Sequence, residues 1–138
     1  MKQGVLVDTG PLVAFFNKRD RFHDWTAVQW NQIAAPMLTC EAVVSETCFL
    51  LSGIKSGSDR VMQLIQRKIL KISFHLEEHI DPVNKLLIKY QSVPMSLADA
   101  CLVRMSELHS NSHVFTLDSD FHLYRKNGRQ VIPSIVPV

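Results

Sequence analysis

Apolar and polar positions along the chain switch repeatedly between short continuous runs and helical spacing. Val5-Leu6-Val7 is an apolar run closed by Asp8-Thr9-Gly10-Pro11, where proline suits the first turn of a helix. A strand leading into a helix is expected there. From Asp20 to Ile33 the residues Phe22, Trp25, Val28 or Gln29, and Ile33 recur at helical spacing, and Pro36 stops the pattern before Met37-Leu38-Thr39. This predicts a second helix feeding a second strand. Glu41 to Leu51 is apolar apart from the Ser45-Glu46-Thr47 step, and the Gly53 to Gly57 interruption separates it from an amphipathic stretch, Asp59 to Lys68. Two further helices follow from that pattern.

Leu70 to Phe74 has the character of a third strand, and Glu77 to Tyr90 puts Ile80, Val83, Leu86, Leu87 and Tyr90 on one helical stripe. Pro82 is compatible with that helix only in its first turn. Ser96 opens a helix to about His109, His113 to Leu117 reads as a strand, and Asp118-Ser119-Asp120 as a turn. A last strand is expected near Val131-Ile132. Strands alternating with helices imply an α/β fold with a mostly parallel sheet covered on both faces, and neither repeats nor low-complexity linkers interrupt it. The length of 138 residues predicts one domain, residues 1–138, with one core.

Composition changes this picture little. An apolar fraction of 46% and a charged fraction of 20% belong to an ordinary globule. A net charge of +2 allows a local basic patch but no wholesale capture of a polyanion. The apolar N-terminal stretch is interrupted by Asp8 and lacks a cleavage site, so it reads as a strand and not a leader. No run approaches the roughly 18–20 apolar residues of a membrane span, so a cytoplasmic protein with no membrane partner is expected. Cys40, Cys48 and Cys101 lack metal or redox spacing and read as reduced packing residues.

Four acids carry the candidate chemistry. Asp8 and Asp118 each follow a strand, and an open parallel sheet gathers strand ends at one crevice. Glu46 is expected to share a helix face with Ala42, Val43, Phe49 and Leu50, and Asp99 with Met95, Leu102 and Val103, which would point both carboxylates inward. An unpaired buried carboxylate is costly unless a cation compensates it, and no Lys or Arg lies near either in sequence. A divalent metal held by oxygen ligands, Mg²⁺ or Mn²⁺, resolves that cost. Each acid also has an ordinary role: Asp8 or Thr9 as a helix cap, Asp99 as the acidic member of a capping box with Ser96, Asp118 in an Asx turn, Glu46 in a distant ion pair. A shared metal site accounts for the whole set more economically.

Other signals are weaker. His75-Leu76-Glu77-Glu78-His79 matches the inverted zinc-protease pattern HxxEH, but Pro82 puts His75 ahead of the helix. Trp25 and Trp30 suit core or interface positions better than base stacking. Lys18, Arg19 and Arg21, and Arg125, Lys126 and Arg129, flank the acids in sequence and are either phosphate contacts or a solvated surface. A phosphoacceptor receiver also clusters acids at strand ends, but its acid pair and late lysine are not in place here.

The stretches VLVDTGPLVAFF, VVSETCFLL, MSLADACLV and FTLDSDF, in that order and nearly spanning the chain, resemble the PIN domain nucleases, in particular VapC-type toxins of bacterial toxin–antitoxin pairs. The resemblance puts the family's acids on Asp8, Glu46, Asp99 and Asp118, with Asp120 as a possible fifth, and a supporting hydroxyl on Thr9. It implies a three-layer α/β/α sandwich and a Mg²⁺- or Mn²⁺-dependent ribonuclease. It also implies an RNA substrate, an antitoxin protein as partner, and a homodimer. Cys101 and Arg104 depart from the small or aliphatic residues more usual in that helix.

Overall fold

The computed structural model describes residues 1–137. Its strands are β1 (Val5–Val7), β2 (Met37–Thr39), β3 (Leu70–Ile72), β4 (His113–Phe115), β5 (Arg125–Lys126), β6 (Gln130–Val131) and β7 (Ser134–Ile135). Five of them form a sheet in the order β3-β2-β1-β4-β7, and every pairing in it is parallel. In register, Leu6 lies opposite Leu38 on one side and Val114 on the other. All three side chains of the central strand β1 are fully buried, as befits a parallel strand covered on both faces.

Helices α1 (Thr9–Phe16), α2 (His23–Trp30), α3 (Glu41–Leu50), α4 (Gly57–Gln66), α5 (Ile80–Lys89) and α6 (Leu97–Leu108) flank the sheet. The most buried of them is α6, which packs on β1, β4 and α5 through Ala98, Leu102, Val103 and Met105. Phe115, Phe121 and Tyr124 complete the core beside it. Pro82 is the third residue of α5, within its first turn as required.

Two expected elements differ. The second helix begins at His23, because Asn17 to Phe22 is a turn in which Asp20 Oδ1 accepts the Phe22 N–H at 2.9 Å. Val28, expected on its buried stripe, is 55% exposed, and Thr26 is buried instead. The strand expected near Val131-Ile132 is half of an antiparallel hairpin, β5–β6, and the sheet is completed by β7. Asn127 (φ 52°) and Gly128 (φ 84°) reverse the chain there, and an Asn-Gly pair reaches positive φ at little cost. No described helix is long and apolar enough to cross a membrane.

Candidate active site

The strand order reverses direction at β1, with β2 on one side and β4 on the other. Such a reversal opens a crevice beyond the carboxyl ends of the two strands. Asp8 follows β1 directly, and its N–H donates to the Phe115 carbonyl at 2.9 Å, extending the ladder by one residue. Asp118 follows β4 after Thr116 and Leu117. Thr116 ties the two ends together: its hydroxyl donates to Asp8 Oδ2 at 2.8 Å and accepts the Asp118 N–H at 2.9 Å.

The local roles of these acids are real, and they are what aims them. Asp8 caps α1, Oδ1 accepting the Thr9 N–H at 2.8 Å. Asp99 and Ser96 form a reciprocal capping box at the start of α6, with bonds of 3.2 and 3.0 Å. Asp118 Oδ1 accepts the Asp120 N–H at 2.9 Å at the start of a 3-10 turn, Ser119–His122. Three N-termini therefore open toward one place, each with a carboxylate at its positive end.

The resulting cleft, about 510 Å³, is lined by five carboxylates, those of Asp8, Asp20, Glu46, Asp99 and Asp118, together with Thr9. No Lys or Arg lines it. Burial pushes the Asp8 carboxyl up to about 7, against the lowering effect of the Thr116 and Thr9 bonds, and the charges of Asp99 and Asp118 raise it further. Burial also raises Asp99, opposed by its bonds to Ser96 and Tyr124. The buried Thr9 hydroxyl has no hydrogen-bond partner.

The PIN domain family model matches residues 5–127, most of the chain. The chain belongs to the PIN domain family. No curated protein matches it in sequence. Among solved structures it is similar to Mycobacterium tuberculosis VapC20, a Sarcin-Ricin loop cleaving toxin, with a TM-score of 0.76 and 16% identity. The match covers 84% of this chain and 91% of that one. At that identity the likeness is one of fold.

Within this PIN fold the structure corrects the expectation for Glu46. Its helix face is not a core face: Val43, Val44 and Thr47 are buried, whereas Glu46 is exposed beside Phe49 and Leu50, which are 75% and 52% exposed. Glu46 reaches the cleft from its rim, while Asp99, 7% exposed, is buried as expected. Asp20 is the acid the sequence did not reveal, since its pattern there reads only as the start of the second helix, whereas Asp20 lies in the turn before it. Asp120 is absent from the cleft lining, so the structure groups Asp118 with the other acids and leaves Asp120 aside.

His75 is extended and precedes the 3-10 turn Leu76–His79, and His79 stacks on Phe74 and accepts from Arg104 Nε at 3.3 Å. The HxxEH histidines thus do not share a helix face. Trp30 stacks on Phe15 and Trp25 lies against Phe115, both structural roles.

Among the described residues no group of three or more His, Cys, Asp or Glu side chains is arranged to enclose a metal ion. The cleft instead offers hard oxygen donors without a competing cation, and an orphaned hydroxyl beside them. That donor set fits a hydrated Mg²⁺ or Mn²⁺, which is commonly bound through one or two carboxylates while keeping several waters.

Proposed function

We propose that this PIN domain is a single-domain, metal-dependent endoribonuclease that hydrolyses phosphodiester bonds of single-stranded or structured RNA. The observation that carries the reading is the convergence of five carboxylates on one cleft free of basic side chains, an arrangement whose mutual repulsion and burial are relieved by a divalent cation. Asp8 and Asp99 are the proposed direct ligands of Mg²⁺ or Mn²⁺. Glu46, at the solvent rim, orients the attacking water and accepts its proton, and Asp118 would hold waters carried by the bound cation. Thr9 supplies the spare hydroxyl next to Asp8. The bound metal supplies Lewis acidity toward water and phosphoryl oxygens. Water adds to phosphorus, the bond to the leaving ribose oxygen breaks, and that oxygen takes a proton.

We further propose that the protein is the cytoplasmic toxin of a toxin–antitoxin pair and acts as a homodimer. Support comes from the fold it shares with a Sarcin-Ricin loop cleaving toxin, and from the exposed Phe49 and Leu50, the second of which lines the cleft, apolar surface of the kind partners cover. The test is cleavage of a labelled oligoribonucleotide. Cutting is expected in Mg²⁺ or Mn²⁺, none in EDTA, and a loss of at least about 100-fold in Asp8→Asn. Undiminished cutting by Asp8→Asn would remove the assignment.

A further inference from the structure

We propose that a second pocket, at the far end of α1, holds the phosphodiester backbone of single-stranded RNA a few nucleotides from the acid cleft; this rests on the ribonuclease reading above. The pocket, about 460 Å³, is lined by Lys18 and Arg19 from the turn after α1, Lys55 from the α3–α4 connection and Arg60 from α4, over Phe16 and Ile54. The four cations come from segments that sequence does not bring together. All four residues are exposed, and among the described residues the only side-chain ion pair is Arg104–Glu107, so none of their heads meets a carboxylate. Four gathered like charges repel one another, and a polyanion threading between them relieves that repulsion while releasing its own counterions.

The acid cleft creates the requirement. A net charge of +2 gives little general attraction, and one divalent cation offsets only part of the charge of five carboxylates, so cations nearby would help hold the strand. Of the other basic residues that flank the acids in sequence, Arg129 is exposed but lines neither the cleft nor this pocket, and three are engaged by neighbouring groups. Arg125 Nη1 is tied to the carbonyls of His122, Leu123 and Tyr124, Lys126 is buried against the Ser110 carbonyl, and Arg21 lies over the Phe22 ring.

Helix α1 and the turn after it contribute residues to both the basic pocket and the acid cleft. Val13 and Asp20 line the cleft, and Phe16, Lys18 and Arg19 line the pocket. Helix α1, Thr9–Phe16, follows its cap Asp8 and has eight residues, which makes it about 12 Å long. Stacked nucleotides rise about 3.4 Å each, so about four of them, or fewer when extended, bridge the two sites. Half-buried Phe16 and Ile54 add apolar surface for a base face. The adjoining phosphodiester chemistry favours RNA over an acidic protein segment as the occupant.

Binding of a labelled single-stranded oligoribonucleotide to the full-length Asp8→Asn protein, followed by anisotropy across a salt series, tests this. Adding Lys55→Ala and Arg60→Ala together should weaken binding about tenfold and make the slope of log K against log salt shallower by about 1.4, the value for two lost contacts to a single strand. Lys71→Ala with Lys85→Ala, the same charge removed from β3 and α5, should leave the slope unchanged. An unaltered slope and affinity in the Lys55/Arg60 variant overturns the proposal. So does tighter binding of polyglutamate than of RNA, which would assign the pocket to an acidic protein. If Asp8→Asn binds RNA and the Lys55/Arg60 changes do nothing, this proposal fails alone; absence of RNA binding by Asp8→Asn defeats the ribonuclease reading as well.

Discussion

The hydroxyl of Tyr124, a fully buried residue, donates to Oδ2 of Asp99 at 3.1 Å, on the same oxygen that accepts the Ser96 N–H at 3.2 Å. Both bonds use Oδ2 and hold the carboxylate plane fixed. Tyr124→Phe keeps the ring against Tyr90 and Phe121 and deletes only the donor. The expected cost in stability is about 1 kcal/mol, with Mn²⁺ affinity lowered about tenfold, as for other groups that orient metal ligands. Denaturant unfolding and titration of Mn²⁺ by electron paramagnetic resonance check the two effects separately. Unchanged Mn²⁺ affinity would show that Tyr124 serves packing alone.

Glu46 and Asp99 should part company on mutation. Glu46 is exposed on α3, so Glu46→Gln is expected to change stability by less than about 0.5 kcal/mol while lowering kcat at least about tenfold through its role at the reacting water. Asp99 is buried and forms the acidic half of a capping box; Asp99→Ala leaves the Ser96 side-chain cap in place but removes the acceptor of both the Ser96 N–H and the Tyr124 hydroxyl, at a cost of about 1–3 kcal/mol. Thermal melts beside a cleavage assay separate the two. A large loss of stability in Glu46→Gln would contradict the rim position.

The acids also make stability of the metal-free protein depend on pH in a defined direction. In the folded state Asp8 keeps its proton up to about pH 7, whereas its ordinary value is 3.8. Between those values the native state binds more protons than the unfolded one, so stability falls as pH rises through this window and levels above it. Asp99 acts in the same direction. In EDTA, the difference in unfolding free energy between wild type and Asp8→Asn should therefore grow by a few kcal/mol from pH 4 to pH 8, the variant being the more stable at pH 8. Added Mn²⁺ should reverse the trend for wild type by displacing the proton. A difference that stays constant across pH would mean Asp8 is ionised throughout.

The strands and helices were legible because burial imposes its period on the sequence: β1, β2 and the long helices lie where their apolar patterns put them. Legibility failed where an apolar run is not buried. Phe49 and Leu50 look like a core stripe but face solvent, so the apolar pattern puts Glu46 on an inward face that it does not occupy, although it lines the cleft from the rim. The hairpin β5–β6 was hidden because its strands are two residues each, and the sheet's last strand, Ser134–Ile135, follows a proline and is equally brief. Asp20 and the Lys55–Arg60 pocket were unreadable for a different cause, since tertiary packing alone brings them beside residues distant in the chain.

Asp118 and Asp120 compete in the sequence for the same place, and their surroundings decide between them. Asp118 lines the cleft, and its charge raises both Asp8 and Asp99. Asp120 is half-buried outside that lining, its N–H spent on Asp118 Oδ1 and its carbonyl accepting the N–H groups of Leu123 and Tyr124. Asp118→Asn keeps an acceptor for the turn but removes a charge from the cleft, so a fall in kcat of at least about tenfold is expected together with a higher Mn²⁺ concentration for half-maximal activity. Asp120→Asn leaves the backbone bonds intact and should lower kcat by less than about threefold, since only a charge outside the cleft is lost. Side-by-side kinetics at saturating Mn²⁺ distinguish them. The reverse ranking would place the fourth acid at Asp120 and require the Ser119–His122 turn to rotate when RNA binds.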